Sequence, residues 1–163
     1  MKRILLLIVL LASATHCTHV EETCTQNEES GYISVVELLR NQHREELSRW
    51  QLLQLAIIMT ESKGNPDAVG ASNDLGVYQM LDCYVREANR VSGSNYSHED
   101  AVDIDNAIDI FNRLQSHYNP QRDTDEAIYR HNKSESYRTA VLRNLEIVER
   151  MEVCRQKLIE YGR

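Results

Sequence analysis

Apolar positions along the chain change period several times, and each change marks an element. From Ser34 they recur at spacings of three and four through Val35, Val36, Leu38, Leu39 and Leu47, the rhythm of a helix with one buried stripe. Trp50 to Met59 is apolar almost throughout, which predicts a helix buried on most of its sides rather than one lying on the surface. Residues 63–74 then hold two Gly, one Pro, two Asn and two Asp, so the helix must stop and a loop begin. A further helix is expected over Gln79 to Val91. Ser97 with Asp100 three residues later reads as a capping box opening a helix to about His117, with Ile104, Ala107, Ile108, Phe111 and Leu114 inward. Asn119-Pro120 breaks it. A short helix around Asp125 to Arg130 and a long one from Ser136 to Tyr161 complete the chain, the latter carrying Ala140, Val141, Leu145, Val148, Met151 and Leu158 as its stripe. No segment alternates as a strand, although the 70–78 loop has room for a short hairpin. The predicted class is all-α.

The N-terminus reads differently. Lys2 and Arg3 precede an unbroken apolar run, Ile4 to Leu11, and then Ala12-Ser13-Ala14, the layout of a secretory signal peptide over residues 1–14. The run is too short to act as a stable transmembrane anchor. Residues 15–31 are polar and read as a flexible leader, which leaves 32–163 for the folded domain. Export to the periplasm or beyond follows from this reading. Lipid anchoring at Cys17 is the lesser alternative, because the bulky His16 precedes it.

Length and composition narrow the function. A chain of 163 residues with 42% hydrophobic residues suits one compact domain. A formal charge of −7 offers no basic surface for nucleic acid. After cleavage at Ala14, Cys17, Cys24, Cys83 and Cys154 remain, an even number that in an exported chain suggests one or two disulfides of open pairing. No cysteines or histidines have metal-site spacing, so no metal and no organic cofactor are expected.

Glu61 is the first candidate for chemistry. A carboxyl directly after a buried apolar helix is poorly hydrated, which favours its protonated form, as a general acid near neutral pH requires. Its neighbours sharpen the reading: Glu61-Ser62, then Asn65-Pro66, then Leu75-Gly76-Val77-Tyr78-Gln79-Met80. This resembles the soluble-type lytic transglycosylases of the lysozyme-like superfamily, whose pattern is Glu-Ser, Asn-Pro and Gly-Leu-Met-Gln before an apolar residue. The interval of 18 positions from Glu61 to Gln79 is also the family's.

The resemblance implies a lysozyme-like helical domain that cleaves the β-1,4 bond between N-acetylmuramic acid and N-acetylglucosamine in peptidoglycan. Glu61 would be acid and then base, Ser62 would orient carboxyl or substrate, and Gly76 would let the backbone pass close beneath the sugar. Gln79 would hydrogen-bond the sugar or an N-acetyl group, with Tyr78 beside it in the substrate-binding set. The family's third landmark, Ala-Tyr-Asn-Ala-Gly, corresponds to Arg130-His131-Asn132-Lys133-Ser134. Asn132 matches, but His131 stands where the family has the tyrosine that bonds the catalytic carboxylate. Tyr129, two residues earlier, is a candidate for the missing hydroxyl. Tyr137 followed by Val141 resembles the family's closing helix.

Asn73-Asp74-Leu75-Gly76 is also similar to a segment of animal-type lysozymes that carries the second carboxylate. A second carboxylate at Asp74, roughly 5–5.5 Å from Glu61, would permit retaining hydrolysis. A single acid suits lytic closure to a 1,6-anhydro product. The departures in the third landmark keep a third reading open, a glycan-binding or assembly module of the same fold. The sequence leaves open the biological role and any partner in a secretion or phage apparatus.

Overall fold

The computed structural model describes residues 47–161. The expected signal peptide and leader, Cys17, Cys24 and the helix expected from Ser34 fall outside the described residues. Within them run α1 (Arg49–Glu61), α2 (Asp82–Ser92), a single 3-10 turn (Glu99–Val102), α3 (Ile104–Tyr118), α4 (Thr124–His131) and α5 (Glu135–Tyr161). The class is all-α, as the patterning predicts.

α1 starts where Ser48 caps it: the Ser48 hydroxyl accepts from Gln51 N, and the Gln51 side chain accepts from Ser48 N, a reciprocal box. From Trp50 to Ile58 only Gln51 escapes full burial, so α1 is the central element of the core. Its one deeply buried amide is satisfied, because Asn112 Oδ1 accepts from both Gln54 Nε2 (3.1 Å) and Trp50 Nε1 (2.9 Å). The same core holds Ala107, Ile110, Phe111 and Leu114 of α3, with Phe111 against Trp50, and Val141, Leu145 and Val148 of α5, the helix that α1 meets most extensively.

Three boundaries differ from the sequence reading, each for a local reason. α2 opens at Asp82 rather than Gln79: Gln79 sits at φ 48°, and Met80 exchanges two backbone bonds with Leu75 (2.9 and 3.0 Å). Those bonds, with a bridge between Val69 and Leu75, are what the chain makes of the expected hairpin. Ser97 and Asp100 do pair, with Asp100 Oδ2 accepting from Ser97 N at 2.7 Å, but they open only the 3-10 turn. α3 begins afresh at Ile104, because Asp103 is extended and its carboxylate caps Asn106 N at 2.9 Å. Finally, Met151 is 45% exposed instead of lying in the buried stripe. α5 has 27 residues against the 13 of α1, so at 1.5 Å per residue its last turns run past their partner.

Cys83 and Cys154 are exposed and are not joined to each other. Among the described residues no helix is long and apolar enough to cross a membrane. No group of three or more metal-ligating side chains forms among them either.

Candidate active site

Glu61 is the last residue of α1, and the chain is fastened immediately behind it. Ser62 N closes the helix on Ile58 O (3.0 Å), while the Ser62 hydroxyl donates to Val77 O (2.8 Å) and accepts from Gly64 N (3.1 Å). Ser62 therefore clasps the helix end to the 75–80 loop, and its hydroxyl is spent on backbone rather than on the Glu61 carboxyl.

The loop closes on itself in the same way. Gln79 Nε2 donates to Ala68 O (3.0 Å) and Gly76 O (2.9 Å), which uses both amide protons. Gln79 Oε1 is left as an acceptor on a side chain that lines the cleft above Glu61. Gly76 adopts φ +71°, and a Cβ there would lie 1.9 Å from the Ala101 carbonyl oxygen. Its bare Cα serves packing against the 3-10 turn. This differs from the expected passage beneath a sugar, and Gly76 does not line the cleft.

Tyr78 corrects another expectation. It is wholly buried and stacked on Phe111, with ring centroids 4.8 Å apart, so its side chain cannot reach a substrate. Its backbone matters instead. His131, in the last turn of α4, places Nε2 3.1 Å from Tyr78 O and 3.1 Å from Glu61 Oε1. A peptide carbonyl can only accept, so Nε2 carries a proton; its hydrogen bond goes to Tyr78 O, and Glu61 Oε1 lies at contact distance beside it. His131, which the resemblance sets at the family's tyrosine, thus brings a ring N–H to within 3.1 Å of the carboxylate.

The His131 ring is enclosed by aromatic side chains. Tyr84, Tyr137, Phe111 and Tyr78 surround it with centroids 5.6, 6.0, 6.1 and 6.2 Å away. Burial, and then the charge of neighbouring Glu61, push the Tyr137 hydroxyl far above its ordinary range, so it remains a donor facing that carboxylate. The approach is close without being well directed, for the hydroxyl finds no acceptor in good geometry. Sequence reasoning assigned the hydroxyl to Tyr129, whose ring is instead 53% exposed at the rim. Tyr137 was read only as part of the closing helix and Tyr84 was not singled out, because no local spacing reports which side chains pack around His131.

These elements border a cleft of about 610 Å³. Glu61, Asp74, Gln79, Tyr129, His131 and Asn132 all line it, whereas Ser62, Gly76 and Tyr78 do not. The Glu61 side chain is 18% exposed, enough to meet a ligand while most of it is shielded. Asp74 turns its carboxylate onto its own loop: Oδ1 accepts from Ser72 N at 3.0 Å, and the group covers the Cα of Gly70. A further acid on the cleft wall, Glu87, is held down to about 2 by hydrogen bonds from Arg90 and Tyr118. It stays ionised and is unsuited to proton donation near neutral pH.

The transglycosylase SLT domain family model matches residues 39–140, a span that holds α1 to α4, the start of α5 and every residue of the site. No curated protein and no solved structure matches the chain.

Proposed function

The chain belongs to the transglycosylase SLT domain family, and on that footing we propose that it cleaves the MurNAc–GlcNAc β-1,4 bond of peptidoglycan with Glu61 as acid and base. One observation carries the reading: the Glu61 carboxyl, 18% exposed, borders a cleft of about 610 Å³ with His131 Nε2 3.1 Å from its Oε1. With His131 Nε2 beside Oε1, Oε2 is the oxygen proposed to carry the mobile proton. That proton passes to the glycosidic oxygen as the bond from the muramic acid anomeric carbon breaks. The substrate's acetamido oxygen closes on that carbon. The 6-hydroxyl then displaces it to form the 1,6-anhydro ring and returns its proton to Glu61. Proton and bond counts balance without water.

Two further features favour this lytic course over hydrolysis. Asp74 turns its carboxylate onto Ser72 N and lies over Gly70, which argues against its service as the second carboxylate. Gln79 Oε1, with its amide protons committed elsewhere, is preset to accept from an N-acetyl N–H. Peptidoglycan lies outside the cytoplasm, so this substrate accords with the export read from residues 1–14.

Incubation with purified wall sacculi, followed by mass analysis of the released fragments, tests the proposal. Anhydro products, one water lighter than hydrolytic ones, are expected. Hydrolytic products would shift the reading to a muramidase, and binding without release to a glycan-binding module.

His131 provides a finer check. His131→Phe keeps a ring in the aromatic box and removes the donor to Glu61. A hydrogen bond made to the charge that develops on Glu61 as its proton leaves is worth about 1.5–3 kcal/mol, so kcat should fall roughly 10- to 100-fold with KM little changed. A rise in KM at constant kcat would place His131 in substrate binding instead.

A further inference from the structure

The cleft is unevenly charged. Glu61, Asp74 and Glu87 contribute acids from the end of α1, its following loop and α2, whereas the cations, Arg130 and Lys133, lie at the exit of α4. Arg130 is already engaged, 2.6 Å from Glu126 and stacked 4.6 Å over the Tyr118 ring. Lys133 is not: among the described residues it has no carboxylate partner, and its ammonium lies 5.5 Å from the centroid of the Tyr129 ring. Asn132 holds this corner in place by accepting from Ser134 N at 2.9 Å, so that Tyr129 and Lys133 both border the cleft two residues from His131.

A half-exposed ring beside an unpaired cation suits a ligand with an apolar face and a negative group. Resting on the glycan reading of this cleft, we infer that Tyr129 and Lys133 form a subsite for the carboxylate-bearing substituent of muramic acid. N-acetylglucosamine has no such group. Muramic acid carries a lactyl ether whose carboxyl is either free or extended by a peptide with carboxylates of its own. The acids on the other walls repel both forms, which leaves the α4 exit as the side where an anionic substituent can lie. The subsite would thereby fix which sugar of an alternating strand faces Glu61, and so which of the two glycosidic bonds is presented.

Calorimetric binding of three fragments that lack the scissile MurNAc–GlcNAc bond tests this without turnover. They are GlcNAc–MurNAc bearing a tetrapeptide, GlcNAc–MurNAc with its lactyl carboxyl free, and chitobiose. Lys133→Met keeps the aliphatic stem over Tyr129. It should weaken one or both carboxylate-bearing fragments about three- to fivefold, the scale of an exposed ion pair, and leave chitobiose unmoved. Lys133→Arg should restore most of the loss, and added salt should shrink the difference between wild type and Lys133→Met. The affected fragment identifies the source of the carboxylate. Equal weakening of all three fragments, or of none, overturns the inference while leaving cleavage of sacculi as a separate result. Wild-type protein that binds none of the three overturns both the subsite and the glycan reading of the cleft.

Discussion

Glu61→Gln should reduce release of glycan from sacculi by about a thousandfold or more while leaving the melting temperature within a few degrees of wild type. The substitution preserves shape and removes the transferable proton. A Gln at 61 can present its amide oxygen to His131 Nε2, so the 3.1 Å contact survives and α1 keeps its end. An amide cannot lend a proton to a glycosidic oxygen, and positioned acid–base catalysis contributes about 10²–10⁴-fold per group. On the proposed route Glu61 acts twice, once giving and once receiving, so the loss belongs at the upper end of that range. In barrier terms a thousandfold is about 4 kcal/mol. The measurement is turbidity loss of sacculi beside a thermal melt followed by circular dichroism. A variant that retains a rate within tenfold of wild type, with an unchanged melt, would remove Glu61 from the chemistry. A collapsed melt would mean that the His131 contact holds the fold as well as the carboxyl.

Much of this arrangement was legible from residues close together in the chain. The apolar run from Trp50 to Met59 announces α1, and the Gly, Pro, Asn and Asp that follow announce its end, so the position of Glu61 at a helix terminus needed no structure. The interval from Glu61 to Gln79 was equally readable, and both residues line the cleft. The reasons behind the motif were harder to reach. Ser62 and Gly76 sit at the family's spacing, yet one clasps Val77 O and the other makes room for Ala101 O, contacts invisible without the third dimension. Helix starts at Gln79 and Ser97 were misread because propensity and cap patterns compete with long-range pairing. Gln79 is bent into φ 48° by the bonds that Leu75, Met80 and Ala68 make around it. Of the carboxylate's neighbours, His131 was legible as a landmark position, but its contact with Glu61 and the approach of Tyr137 were not. His131 and Tyr137 come from 70 or more residues downstream, on two different helices, and only packing brings them to Glu61.

The largest expected effect on stability comes from a residue outside the cleft. Gly76→Ala should lower the unfolding free energy by about 3–5 kcal/mol, the range of severe single substitutions, and the melting temperature by about 10 °C or more. Two costs add. At φ +71° an L side chain occupies the left-handed region, at about 1–2 kcal/mol. The new Cβ would also stand 1.9 Å from Ala101 O, 2.8 Å from Ala101 C and 3.2 Å from the Cα of Val102. These are backbone atoms of a packed turn whose Ala101 side chain is fully buried, so no side chain can swing aside. Nor can residue 76 retreat, because its N–H donates to Ala68 O and its carbonyl accepts from both Gln79 N and Gln79 Nε2.

Gly70→Ala is the control that separates crowding from immovable crowding. Its Cβ would meet Asp74 Oδ2 at only 1.7 Å, a nominally worse clash, but that atom is the tip of a part-exposed side chain, and Gly70 has no positive φ. Asp74 can rotate away for the loss of its bond to Ser72 N, about 1 kcal/mol. Chemical denaturation of the two variants should therefore rank them against their closest distances, with Gly76→Ala far the worse. Equal melts would show that the 75–80 loop is free to shift away from the 3-10 turn. A loop that free could not hold Gln79 and the Ser62 clasp in register with Glu61, and the proposed lytic arrangement would lose its support from below.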